Sequence, residues 1–89
     1  MIKTTATISN KLGLHARASA KLTKLAGSHQ CEVWMSKGDR RINAKSIMGV
    51  MMLAAGVGSL VEIETSGPDE QAAMDAIVAL INDKFGEGE

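Results

Sequence analysis

The stretch Cys31-Glu32-Val33-Trp34-Met35-Ser36-Lys37-Gly38-Asp39-Arg40-Arg41-Ile42-Asn43-Ala44 carries the reading on which the fold class turns. Cys31, Val33 and Met35 alternate with Glu32, Trp34 and Ser36, the two-residue period of a strand with one apolar side. Lys37 to Arg40 supplies turn residues around Gly38, and Arg41 to Ala44 can return beside the first run as a hairpin. Outward on one side, Ser46 to Ala55 is rich in helix formers despite Gly49, with Ser46 placed to cap its first turn. Gly56 and Gly58 then break the chain; they lack the third glycine and following helix of a dinucleotide fingerprint and read as a turn.

On the other side, Ala16 to Ala26 has helical spacing, with Ala18, Leu22, Leu25 and Ala26 on one face and Gly27 as its expected terminal cap. Before it, Ile2 to Ile8 alternates in β-branched residues and Ser9 to Gly13 forms a loop. Leu60 to Thr65 alternates again, opposing Val61, Ile63 and Thr65 to Leu60, Glu62 and Glu64, until Ser66-Gly67-Pro68 stops it. Asp69 is the expected cap of a last helix striped by Ala73, Met74, Ile77, Leu80 and Ile81. The order βαββαβα predicts an α/β two-layer (α+β) sandwich, a mostly antiparallel four-stranded sheet with three helices on one face.

Composition sets the limits of function. With 89 residues, 1–89 reads as a single domain, and 45% hydrophobic against 22% charged residues is globular makeup rather than that of a disordered tail. Aromatic residues are only 2%, Trp34 and Phe85, which disfavours base stacking on single-stranded nucleic acid. Ten basic residues balance ten acidic ones, yet residues 1–45 hold nine basic against two acidic, +7, and residues 46–89 one against eight, −7. A basic face able to steer an acidic partner is implied if those side chains gather. Cys31 is single, so no internal disulfide forms and a reducing compartment is expected, with the thiol buried and inert. The N-terminal stretch has no apolar run of signal-peptide length and no segment is long enough to span a bilayer, so a soluble, cytoplasmic protein is expected.

Chemistry concentrates at Gly13-Leu14-His15-Ala16-Arg17, which sets an imidazole at the mouth of the first helix and a guanidinium in its first turn. The first amide groups of a helix have no intrahelical acceptor, and the helix dipole adds positive potential, so an anion gains there. The same field favours a neutral ring with a free lone pair, and such a ring attacking a phosphoryl donor would carry its product where the helix start and Arg17 receive it. Arg17, Lys21 and Lys24 share one face as a basic docking strip. Ile47, Met48, Met51 and Met52 give the second helix an apolar edge, about half of it expected in the core and the rest free for partners. Phosphate on Ser46 would repel an acidic partner crossing that edge. His29, Cys31 and Glu32 match no zinc spacing, and no metal or cofactor is expected. No paired carboxylates or third orienting residue are evident near His15, which argues against a hydrolase.

With GLHAR at 13–17, Lys45-Ser46-Ile47-Met48-Gly49-Val50-Met51 in the middle and GPDE at 67–70, nearly the whole chain resembles the histidine-containing phosphocarrier family, HPr, of the bacterial phosphoenolpyruvate-dependent sugar phosphotransferase system. The resemblance implies an open-faced β-sandwich in which His15 accepts a phosphoryl group on Nδ1 from enzyme I and passes it to enzyme IIA domains, with Arg17 assisting. It implies that Ser46 is modified by an HPr kinase/phosphorylase where the organism has one. Partner-binding positions are then Ala16, Ala20, Lys21, Lys24, Ile47, Met48 and Met51, on a monomeric carrier that is not an independent enzyme. Many members read HARPA where this chain has His15-Ala16-Arg17-Ala18-Ser19, which leaves a sugar carrier, a nitrogen-branch carrier (NPr-like) and a mainly regulatory one open. From another class, a small anion- or RNA-binding domain remains the alternative, and it would keep salt-sensitive binding after His15 is replaced by Ala.

Overall fold

Period-two alternation produces four strands, β1 (Ile2–Thr7), β2 (Glu32–Lys37), β3 (Arg40–Asn43) and β4 (Leu60–Ser66); helical spacing produces α1 (Ala16–Gly27), α2 (Ile47–Met52) and α3 (Glu70–Asn82). The computed structural model describes residues 1–87; residues 88 and 89, the end of the expected 1–89 unit, lie outside the described residues. The strands form one sheet in the order β1-β4-β2-β3, and every neighbouring pair is antiparallel. β4 therefore sits between β1 and β2, and β2 between β3 and β4. Each of those outer pairs runs parallel, so each needs a crossover, which α1 and α2 provide.

Alternation decides which side of the sheet is dry. Ala6, Val33, Met35, Val61 and Ile63 point inward and meet Ala18, Leu22, Ala26, Val50, Ala73, Met74, Ile77 and Ile81 from the helices, all buried. Small Ala18, Ala26 and Ala73 at these contacts let helix backbones come close, while each fully buried Ile, Leu or Phe contributes about 1.5–3 kcal/mol. The opposite face is polar. Glu64 is buried there by its neighbours: Arg41 Nε donates to it at 2.8 Å, Lys3 Nζ lies at 3.7 Å, and the Arg41 guanidinium stacks 4.2 Å from the Trp34 ring centroid. Arg41 foremost, and Lys3 behind it, hold the Glu64 carboxyl below its ordinary range.

Several local expectations are corrected. Gly27 is the last residue of α1 rather than its cap; Ser28 takes that role, its amide donating to Lys24 and Leu25 carbonyls and its Oγ to Leu25 O at 2.6 Å. α2 ends at Met52 instead of reaching Ala55, because Ala54 turns left-handed at φ 51°. Asp69 occupies the N-cap position of α3 without capping it: its carboxylate accepts from the Gln30 and Cys31 amides at 2.9 and 2.8 Å. Those two bonds, Gln30 first, keep the Asp69 carboxyl below its ordinary range. Cys31 is buried ahead of β2, and burial foremost, then Asp69, pushes its thiol up. A short 3₁₀ turn, Lys84–Gly86, follows α3 and was not foreseen.

Candidate functional site

The loop between β1 and α1 is tied down from both sides. Ile8 N–H donates to Ser59 O at 2.9 Å, Gly58 N–H to Ile8 O at 2.7 Å and Leu14 N–H to Ala55 O at 2.9 Å. Gly13 makes the closest approach at φ +66°; a Cβ there would stand 2.5 Å from Ala55 O and 2.7 Å from Gly56 Cα, so only glycine fits. Asn10, fully buried, donates from Nδ2 to Gly13 O at 2.8 Å. The loop thus delivers its last residue, His15, to the start of α1 in a fixed pose.

His15 is itself the N-cap. Its backbone is extended (φ −73°, ψ 179°), its carbonyl accepts the first intrahelical bond from Ser19 N–H at 2.8 Å, and its Nδ1 accepts from Arg17 N–H at 3.3 Å. On the other ring nitrogen, Nε2 stands 2.5 Å from Glu87 Oε2. Asn10 Nδ2 donates to Glu87 Oε1 at 3.1 Å, and that bond first, then His15 and Lys21, holds the Glu87 carboxyl below its ordinary range. An ionised carboxylate only accepts, so Nε2 carries the ring proton and donates; Nδ1, accepting from an amide, keeps its lone pair. The Nδ1 lone pair is thus turned to the positive end of α1.

Glu87 overturns the expectation that no orienting residue stands near His15. A sequence separation of 72 leaves no periodicity to announce the contact, and Glu87 sits in a Gly86-Glu87-Gly88 run that reads as loop. It arrives through an unusual backbone: Lys84, Phe85 and Gly86 take φ of 54°, 55° and 74° in succession. The left-handed region costs a non-glycine residue roughly 1–2 kcal/mol. Burial of Phe85, fully enclosed, offsets part of that, and Lys21 Nζ clamps the turn by donating to Phe85 O at 2.6 Å. Asn10 was likewise missed; its polar loop gave no sign that the amide would be buried.

A cleft of about 700 Å³ opens beside the ring, lined by Lys11, Leu12, His15, Ala16, Arg17, Lys21, Gly86 and Glu87. Three cations and a helix start around one carboxylate make it a place for an anion. His15 is half-buried, its side chain 27% exposed, while Ala16, Arg17 and Ala20 are exposed. Lys21 and Lys24 are exposed along α1 and, with Leu25, Ser28 and Leu80, border an apolar groove between α1 and α3. Ser46 is exposed and caps α2 through Gly49 N–H at 3.2 Å. Ile47, Met48, Met51 and Met52 are all exposed, at 39, 67, 40 and 57%, rather than half in the core; Val50 and Leu53 anchor that segment instead. α2, which carries this apolar edge, packs on α1, the helix whose start carries the histidine.

The fold and site define a class: small two-layer α/β proteins that present one histidine at a helix start, beside a cationic cleft. Comparison with known proteins makes it particular. The family model described as the PTS HPr component phosphorylation site matches residues 2–83. The chain is 66% identical over 89 residues to the phosphocarrier protein HPr of Cupriavidus necator, covering all of both chains. It is 44% identical to the phosphocarrier protein NPr of Shewanella violacea, covering 91% of this chain and 89% of that one. The crystal structure of HPr from Thermoanaerobacter tengcongensis superposes with a TM-score of 0.95 at 42% identity over 98% of each chain, and an HPr of that organism has also been solved as a dimer. The chain belongs to the HPr family, phosphocarrier proteins of the phosphotransferase system.

Proposed function

We propose that His15 is the phosphoryl acceptor and that the chain relays the group from phosphorylated enzyme I to enzyme IIA domains. The observation that carries this reading is the Nδ1 lone pair facing the start of α1, with the Arg17 amide already on it. In transfer, Nδ1 attacks the phosphorus of the donor, the donor's nitrogen–phosphorus bond breaks, and its electron pair returns to the donor nitrogen. The phosphoryl oxygens then meet the amide groups of the first turn, which precede the Ser19 bond that opens the ladder, and the Arg17 side chain at the cleft. Ala18, where proline is common in the family, supplies an amide rather than removing one.

The exposed edge of Ile47, Met48 and Met51, with Ala16, Ala20, Lys21 and Lys24, serves as the docking surface. Ser46 is the regulatory position, open to an HPr kinase/phosphorylase. The whole 1–89 chain acts as one cytoplasmic, monomeric carrier without a cofactor; among the described residues no helix is long and apolar enough to cross a membrane. The likeness to an NPr supports a nitrogen-branch carrier as the second reading. Incubation with enzyme I and phosphoenolpyruvate, followed by mass measurement and site mapping, is expected to place one phosphoryl group on His15. His15→Ala should accept none. Faster acceptance from the nitrogen-branch enzyme I than from the sugar-branch one would move the assignment to the second reading, and modification elsewhere in the wild type would end the relay.

A further inference from the structure

We propose that Glu87 is the positioning residue of the phosphoryl acceptor: a carboxylate delivered by the left-handed turn at Lys84–Gly86 that holds the His15 proton on Nε2 and balances the charge the ring acquires on transfer. The inference rests on reading His15 as the acceptor, and it deepens that reading. When Nδ1 of the neutral ring forms its bond to phosphorus, no proton leaves the ring; Nε2 keeps its hydrogen and the imidazole becomes a cation. That positive charge is absent before attack and present afterwards. A carboxylate 2.5 Å from Nε2 therefore binds the product and the approach to it more strongly than the resting ring. The gain falls on the transfer step and on its equilibrium, not on donor docking.

The surrounding structure supports this role for Glu87. Its two oxygens are divided between Nε2 of His15 and Nδ2 of buried Asn10, so one end of the carboxylate is anchored while the other addresses the ring. Asn10 in turn holds Gly13 O, which ties the carboxylate and the histidine loop into one unit. Phe85 pins the turn in the core and Lys21 fastens its carbonyl. A backbone held left-handed at two non-glycine residues is strain concentrated where it carries a side chain to the reacting group. The other charged groups lining the cleft with the pair are the cations Lys11, Arg17 and Lys21, so among the described residues Glu87 is the one carboxylate of the cleft.

The test uses the full chain, Glu87→Gln and Glu87→Ala, with enzyme I and phosphoenolpyruvate as donor and ¹⁵N spectra of the His15 ring as a second readout. Glu87→Gln keeps the shape and an acceptor for Nε2–H but removes the charge; it should retain the tautomer while kcat and the equilibrium phosphorylated ratio fall about tenfold at unchanged KM. Glu87→Ala should show the same loss and, in addition, a ring whose proton is shared between Nδ1 and Nε2. Wild-type kcat in both variants, or a change confined to KM, overturns the proposal, as does a wild-type ring protonated on Nδ1. Thermal melts of both variants separate these effects from unfolding. The two readings fail differently: a wild type that gains no phosphoryl group ends the acceptor role and the kinetic half of the proposal, whereas normal wild-type acceptance with indifferent variants ends the role of Glu87 alone.

Discussion

α1 and α2 begin alike and end up as different chemistry. Each starts with a polar side chain at the N-cap accepting from a first-turn amide, His15 Nδ1 from Arg17 N–H at 3.3 Å and Ser46 Oγ from Gly49 N–H at 3.2 Å. The difference lies in what else holds the cap. His15 is gripped on its second ring nitrogen by Glu87, stands on a loop zipped to residues 55–59, and opens a helix of 12 residues. Ser46 is exposed and opens a helix of six. A helix start alone attracts an anion; a second partner brought from far along the chain is what, in the proposed relay, would fix a tautomer and make a defined acceptor. An exposed hydroxyl with a local partner suits a site that a modifying enzyme must reach.

Substitutions at three positions press on that contrast. Gly13→Ala strikes the support of the first helix start: its Cβ would enter Ala55 O and Gly56 Cα at a left-handed φ, and about 2–5 kcal/mol of stability should be lost, read from the urea midpoint. Should the variant melt like the wild type, the loop is not held as described. Asp69→Asn addresses the third helix start, whose carboxylate serves Gln30 and Cys31 instead of its own helix. Because the folded pKa lies below the ordinary 3.8, its stabilisation is full above that value and fades as pH falls through the lower folded one. The gap between wild type and Asp69→Asn in chemical denaturation should therefore stay constant at neutral pH and narrow in acid; a gap indifferent to pH would remove the charge from the account.

The smallest effect on stability is expected at the second helix start. Ser46→Ala loses one exposed cap bond and should cost about 1 kcal/mol. Ser46→Asp restores a capping oxygen, so its melting point should return toward wild type while acceptance from enzyme I slows, through repulsion at the Met48 and Met51 edge. Transfer at the wild-type rate would leave the two helix starts functionally independent.

Much of the site was legible because its parts are local. GLHAR places an imidazole and a guanidinium within one turn, and a helix start is inferred from spacing alone. Glu87 and Asn10 were not legible, since a carboxylate between glycines and an amide in a polar loop look like solvent-facing residues until the fold closes. The methionines of α2 illustrate the reverse: one-turn spacing shows that they share an edge, but whether the edge faces in or out depends on Val50 and Leu53 taking the inner positions. Gly27 and Asp69 carried the right residue types for caps; the next residue along, Ser28, took the first role, and the tertiary partners Gln30 and Cys31 drew Asp69 from the second.

What the chain alone determined was the order βαββαβα, the inner and outer faces of each strand, and a histidine at the mouth of the first helix, because two- and 3.6-residue periods and helix-start chemistry are written between near neighbours. The insertion of β4 between β1 and β2, the left-handed turn pinned by Phe85 and the proton held on Nε2 were decided only by the closed structure. Each depends on groups tens of residues apart meeting within hydrogen-bond distance, which a linear pattern does not encode and packing does.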